Sequence, residues 1–340
     1  MLGITASAAA QTRWSEAFNK FKIEARADGE LFTTDSTPQF GFHGKYFNVM
    51  VGGELGSGFS YYFKQRLVAD EGSVMFFDNT DFLYLDYKPT KNWRLRFGKD
   101  AMAMGGFEYD ASPIDVYFPT TLWNKIYCFQ LGFSGAWISD DGNHTLVAQV
   151  TNSPYINSSG LNYDAGLVSY NLCWYGNVGH WHTIWSSSMI EREWSKFMNL
   201  TMIGNKLTFD KWDIYVDFMH HALALDDWGK NFGLVSCANY YFTPDFNLFV
   251  KGMIEQNKSE VDLNSAVALD HLLRAGHTYA RYGLGFEYFP KGLKNVRLHT
   301  YVCRMEEHYK DALGQNMVED TWNFNIGATW SVDYYQLFKK

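Results

Sequence analysis

Lys64 and Arg66, and again Arg94 and Arg96, are basic residues two positions apart inside stretches that alternate apolar and polar side chains. A spacing of two keeps side chains on one face of an extended strand. Cations stacked along one face of a confined aqueous space set ion preference through their field. Lys99, Arg281 and Arg297 are further candidates for the same lining, and Lys88 and Lys251 share its parity. Glu54, Asp86, Asp213, Asp217, Glu255 and Glu287 stand on that parity too, so the competing reading is a wall of mutually paired charges. Register across the 88–93 hairpin sets Asp86 opposite Arg96, an opposite-charge pair. The stretch 100–123 carries Asp100, Glu108, Asp110 and Asp115 and no Lys or Arg. Folded inward, Glu108, Asp110 and Asp115 would face the wall cations and create a transverse field suited to zwitterions or small polar solutes. Loop 69–81 is similarly acidic, with Asp70, Glu71, Asp78 and Asp81.

Other chemistries find less support. His180 and His182 share a strand face, but no third ligand is near in sequence, so no metal is expected. His220 and His221 point to opposite faces. No nucleophile-elbow pattern organises the Ser, His and Asp residues, and no glycine pattern cradles a phosphate, so neither catalysis nor a cofactor is expected. The cysteines at 128, 173, 237 and 303 are far apart, lack any CxxC spacing, and are expected as free thiols.

The elements that carry these residues are strands. In "WNFNIGATWSV" (322–332) the residues Trp322, Phe324, Ile326, Ala328 and Trp330 share one parity, and the alternation runs on through Val332 and Tyr334 to Phe338. Sixteen such stretches can be read: 20–31, 40–55, 59–68, 82–88, 93–99, 124–138, 144–151, 163–174, 181–190, 197–208, 212–222, 231–242, 246–256, 278–289, 295–307 and 320–332. Short turns at 56–58, 89–92, 139–143, 175–179, 210–211, 243–245 and 290–295 alternate with longer connections at 69–81, 100–123, 152–162, 190–196, 223–230, 257–277 and 308–319. That alternation puts all tight turns at one end, as in a transmembrane barrel with short periplasmic turns. The chain is 18% aromatic with a mean hydropathy of −0.27, which fits apolar residues diluted by alternation. No run of apolar residues is long enough for a spanning helix. Tyr61, Tyr87, Trp93, Trp174, Trp181, Trp212, Tyr240 and Trp330 crowd strand ends, as interfacial girdles do. A net charge of −8, with no Lys/Arg cluster, argues against a nucleic-acid partner. Residues 1–10, ending in Ala8-Ala9-Ala10, read as the remnant of a signal peptide ahead of a single domain over 11–340.

Two segments carry a resemblance. "YFNVMVGGELGSGFSYYFKQRL" (46–67) is a hairpin ending on Lys64, Gln65 and Arg66, and "LRFGKDAMAMGGFEYDASPIDVYF" (95–118) is a strand ending in Gly98-Lys99 followed by a Gly-Gly, Tyr-Asp, Pro-Ile-Asp loop. Together they resemble the phosphate-selective porin O and P family, in particular its Bacteroidetes-type members. The resemblance implies a sixteen-stranded antiparallel β-barrel in the bacterial outer membrane, a homotrimer, a long loop folded inward to constrict the pore, and an Arg-lined anion path. It maps residue by residue only onto the Lys64-Gln65-Arg66 and Gly98-Lys99 positions. Such barrels commonly end on an aromatic residue, whereas Phe338 here precedes Lys339 and Lys340. The expected function is passive diffusion of small polar or anionic solutes or inorganic ions through a channel surrounded by outer-membrane lipid. The alternatives are a sugar-specific channel with an aromatic track at Tyr62, Tyr84, Tyr215 and Tyr301, and a secreted soluble β-sandwich that binds glycans.

Overall fold

The computed structural model describes residues 18–33, 38–67, 77, 79–155, 166–223, 229–264, 271–291, 293 and 295–338. Residues 1–10, expected as a leader remnant, and most of loop 69–81 lie outside the described residues. Period-2 alternation produces strands β1 (Lys20–Thr33), β2 (Gln39–Gly56), β3 (Phe59–Arg66), β4 (Thr80–Thr90) and β5 (Trp93–Ala101). Next come β6 (Phe129–Ile138), β7 (His144–Asn152), β8 (Val168–Val178), β9 (Trp181–Glu193) and β10 (Lys196–Thr208). The chain continues through β11 (Trp212–Ala222), β12 (Asn231–Thr243) and β13 (Phe246–Asn257), then a small hairpin of β14 (Leu263–Asn264) and β15 (His271–Leu273). β16 (Thr278–Tyr288), β17 (Val296–Lys310) and β18 (Asn316–Asp333) complete the set. All but the small hairpin pair in antiparallel sequence around a closed sixteen-stranded barrel, sealed by β1 against β18 with Ala27 opposite Ala328. Closure is what hydrocarbon demands: an unpaired strand edge there would leave N–H and C=O groups without water.

Across the middle of the barrel the outer face is largely apolar, with Phe97, Phe133, Val150, Leu172, Val216, Val250, Leu284 and Phe324 exposed. Trp93, Trp137, Trp181, Trp212, Tyr240, Tyr288 and Trp330 ring the short-turn end of that face. This is the amphipathic belt expected where acyl chains meet headgroups.

Several boundaries differ from the sequence expectation. β6 begins at Phe129 rather than 124, because 121–125 is a helical turn whose Thr120 hydroxyl accepts the Trp123 N–H. β8 begins at Val168 and continues through the "YGNVG" stretch to Val178, leaving Gly179–His180 as the turn. The 190–196 connection is not long: β9 and β10 extend until only Trp194 and Ser195 join them, Ser195 taking a φ of 59°. Likewise 308–319 shrinks to 311–315, closed by Asp311 and Gly314. The alternation after β18 stops at Asp333; Tyr334–Phe338 is helical, with the Gln336 N–H on the Asp333 carboxylate and the Tyr334 ring stacked on Phe21.

Candidate functional site

Between β5 and β6 the segment 102–128 enters the barrel and packs on the inward faces of strands on the opposite side. Its first turn, Phe107–Asp110, donates the Phe107 and Glu108 N–H groups to the Asp217 carboxylate of β11, at 3.0 and 2.8 Å. Its last turn, Thr121–Lys125, donates the Thr121 and Leu122 N–H groups to Glu255 of β13, at 2.7 and 3.2 Å. The Lys251 ammonium of β13 joins the Glu108 carboxylate at 2.5 Å and donates to the Tyr117 carbonyl at 2.9 Å. Arg26 of β1 donates to the Ile114 and Val116 carbonyls, Arg281 of β16 to the Pro119 carbonyl, and Arg297 of β17 pairs with Asp115 at 2.8 Å. Arg297 also reaches the Ile114 carbonyl and Glu287, whose carboxylate accepts the Tyr117 hydroxyl.

Under this segment the lumen is filled by apolar side chains. Met102, Met104, Tyr117, Phe118, Leu122 and Ile126 bury themselves against Met198, Leu200, Met202, Met219, Val235, Phe249 and Met253 of β10–β13. Leu263, Leu272 and Leu273 of the small hairpin join the same cluster. Tyr117 stacks on Phe249 with ring centroids 4.9 Å apart. Charge therefore does not line the lumen wall throughout. The inward faces of β9–β13 carry methionines and aliphatics because they meet protein instead of water.

What stays hollow is the other side. A cavity of about 1160 Å³ runs along the inward face of β1–β7. Lys20, Phe289, Asn295 and Ser331 line it toward the short-turn end; Arg66, Asp81, Asp100 and Met102 line it toward the far end.

The sequence candidates divide between these two regions. Lys64, Arg66, Arg94, Arg96 and Arg297 line the cavity, as do Asp110 and Asp115 on the segment. Arg281 and Glu108 do not; both are used in holding the segment. Lys99 lies away from the cavity as well. It is register partner to the lipid-parity residues Leu83 and Leu131, and its buried ammonium donates to the Phe77 carbonyl and the Tyr127 hydroxyl. The Asp86–Arg96 pair forms as its register requires, at 2.6 Å, and Arg96 also binds Asp100 at 2.7 Å. Lys64 lies between Glu24 and Asp81, and Arg66 is 2.9 Å from Asp81. Arg94 and Lys20 make no ion pair among the described residues; the Lys20 ammonium sits 4.5 Å from the Tyr62 ring centroid. Enclosure by protein pushes the Asp110 carboxyl above its ordinary pKa, a shift the Tyr175 hydroxyl partly offsets.

The candidate sugar track does not form a line. Tyr62 faces the cavity, Tyr84 is covered by the Arg96 guanidinium 3.6 Å from its ring centroid, and Tyr301 is buried against Tyr117 and Phe118. Tyr215 packs on Phe107 of the segment. His180 and His182 separate, bonding to the Thr208 carbonyl and the Asn177 side chain, and no cluster that could hold a metal occurs among the described residues. All four cysteines are free. Lys20, Lys22, Arg26 and Lys45 were legible candidates that went unselected. "KFKIEARADGE" (20–30) carries a charge at every second residue from Lys20 to Glu30, and that entire parity proves inward.

Comparison with known proteins bears on the whole assembly. Residues 19–182 match the family described as phosphate-selective porin O and P. No curated protein matches the chain. Among solved structures, the anion-selective porin from Comamonas acidovorans is similar with a TM-score of 0.64 at 8% identity, covering 92% of this chain and 98% of that one. OmpT of Vibrio cholerae, an outer membrane protein in its trimer form, aligns with a TM-score of 0.58 at 12% identity, covering 91% and 98%. The outer membrane channel DcaP of Acinetobacter baumannii aligns with a TM-score of 0.58 at 10% identity, covering 92% and 96%.

Proposed function

We propose that this outer-membrane porin, a channel for small solutes whose residues 19–182 match the phosphate-selective porin O and P family, conducts small polar or anionic solutes through one half of its barrel. The observation that carries the reading is the cavity along β1–β7, lined by Lys20, Lys64, Arg66, Arg94, Arg96 and Arg297. Segment 102–128 acts as the constriction, because it fills the opposite half and turns Asp110 and Asp115 toward these cations. Solutes cross down their gradient and no bond is made or broken. A preference for anions supports the reading best, since most of the carboxylates beside the cavity are already paired with wall cations while Arg94 and Lys20 are not. The chain works as a homotrimer in this proposal, by likeness to the Vibrio cholerae protein described in trimer form. Reversal potential of purified protein in a planar bilayer under a KCl gradient tests the ion preference; a chloride preference is expected, and a clear potassium preference would remove the anion reading. Native mass spectrometry in mild detergent tests the trimer.

A further inference from the structure

We infer that Asp217 and Glu255 are positioning residues of this channel: they hold the two helical turns of segment 102–128 on the β9–β17 side, so that among the described residues the cavity lies along β1–β7. The inference rests on the channel reading above and adds the groups that select the conducting half.

Each carboxylate accepts two backbone N–H groups from the start of a helical turn, Asp217 from Phe107 and Glu108, and Glu255 from Thr121 and Leu122. The first amides of a helical turn have no acceptor within it, so these four donors depend on the wall. Both carboxylates are buried, at 2% and 1% exposure. An unpartnered amide there would bear its full desolvation cost.

The backbone around Asp217 is shaped to this contact. A Cβ on Gly106 would stand 2.4 Å from the Asp217 carboxyl carbon, and one on Gly204 of β10 would stand 2.6 Å from its Oδ1. Glycine on both sides is what lets the segment's backbone approach the carboxylate so closely.

Most of the remaining contact is apolar and rich in methionine: Met102, Met104, Met198, Met202, Met219 and Met253. Such packing is strong but adaptable, and does not by itself select one position. Arg26, Lys251, Arg281 and Arg297 add directional contacts along the middle of the segment, while the two carboxylates, on different strands, fix the start of each of its two helical turns.

Two native thiols report on the seat. Cys237 and Cys303 point inward and share the apolar cluster with Phe118 and Leu122. The test is modification of the folded barrel in detergent by a charged methanethiosulfonate, read peptide by peptide by mass spectrometry, with single-channel conductance recorded in parallel. In D217N and E255Q, labelling of Cys237 and Cys303 should rise by about tenfold, the change expected when one charge-assisted hydrogen bond is weakened. Conductance should increase, and G204A should mimic D217N because it presses on the same contact. D320N, on the outer face, should label as wild type. If D217N and E255Q, heat-modifiable on gels like wild type, label at the wild-type rate, the positioning role is overturned; E255Q alone suffices should D217N fail to fold. A barrel whose thiols respond as expected but which passes no current would keep the positioning role and refute the channel reading instead.

Discussion

The stripe of cavity cations contains one arginine whose removal should alter ion preference without disturbing the wall. Arg94 faces the cavity and makes no ion pair among the described residues, whereas Arg96 is committed to Asp86 and Asp100 and Lys64 lies between Glu24 and Asp81. Arg94→Gln therefore deletes a charge without stranding a carboxylate. An ion passing about 5 Å from a unit charge in a water-like medium feels about 0.8 kcal/mol, a factor of about four in its local concentration and, with opposite sign for anion and cation, about sixteen in their ratio. Reversal potential across a bilayer bathed in about 0.1 M KCl should shift toward potassium by that permeability ratio. Raising the salt to about 1 M shortens the screening length to about 3 Å and should abolish most of the shift. Arg96→Gln is the informative contrast: it leaves two carboxylates facing each other and should cost about 3–5 kcal/mol of barrel stability. An unchanged reversal potential for folded Arg94→Gln at low salt would refute the reasoning, for then the uncompensated charge is not in the solute path.

Three other outcomes follow from the geometry. Asp110, whose pKa is raised by enclosure, should be neutralised as pH falls before the ordinary carboxylate range is reached; the channel then loses a negative charge, and anion preference should grow at a pH above that range of about 4. Asp110→Asn should flatten that part of a reversal-potential series. Lys251→Met strands the Glu108 carboxylate in a buried setting and should cost about 3–5 kcal/mol in denaturant unfolding of the detergent-folded barrel, most of it recovered in the Glu108→Gln, Lys251→Met double variant. Gly98→Ala should lower the yield of heat-modifiable barrel, because Gly98 has a φ of 134° and an added Cβ would lie 2.2 Å from the Leu83 carbonyl; Gly44→Ala, with nothing within 4 Å, should not.

Strand existence was legible because lipid imposes a strict rule on one face, and that rule leaves Phe324, Ile326 and Trp330 on a common parity. No comparable rule governs the inner face. A lumen residue may meet water, a partner charge or an inserted segment, and each allows a different side chain. β10 shows the consequence: its inward positions hold Met198, Leu200 and Met202, while Asn199 and Thr201 stand on the outward parity toward the loop end. Alternation survives there with its polarity reversed, so periodicity finds the strand but assigns its faces wrongly. The same ambiguity explains Glu108. Sequence sets it toward the wall cations without naming which, and its partners Lys251 and Thr120 are brought to it by the fold, one of them 143 residues away.

Charge parity and apolar parity, taken together, would have separated the two halves. Strand β1 places Lys20, Lys22, Glu24, Arg26, Asp28 and Glu30 on one face, a density that only water or dense ion pairing can accommodate, and its lower part borders the cavity. On β10 and β12 the inward face holds no side chain of that kind near Met202 or Val235, and an aqueous lumen gives apolar methionines no reason to be there. A barrel whose inward faces are densely charged on one side and carry apolar patches on the other requires something with an apolar face inside it. The stretch "AMAMGGFEYDASPIDVYFPTTLW" (101–123) has the matching composition: Met102, Met104, Tyr117, Phe118 and Leu122 supply the apolar face, and its carboxylates are left to turn toward the cations. The asymmetric wall and the acidic, basic-free segment are thus two halves of one physical requirement, and the hollow side is where that requirement leaves room for solute.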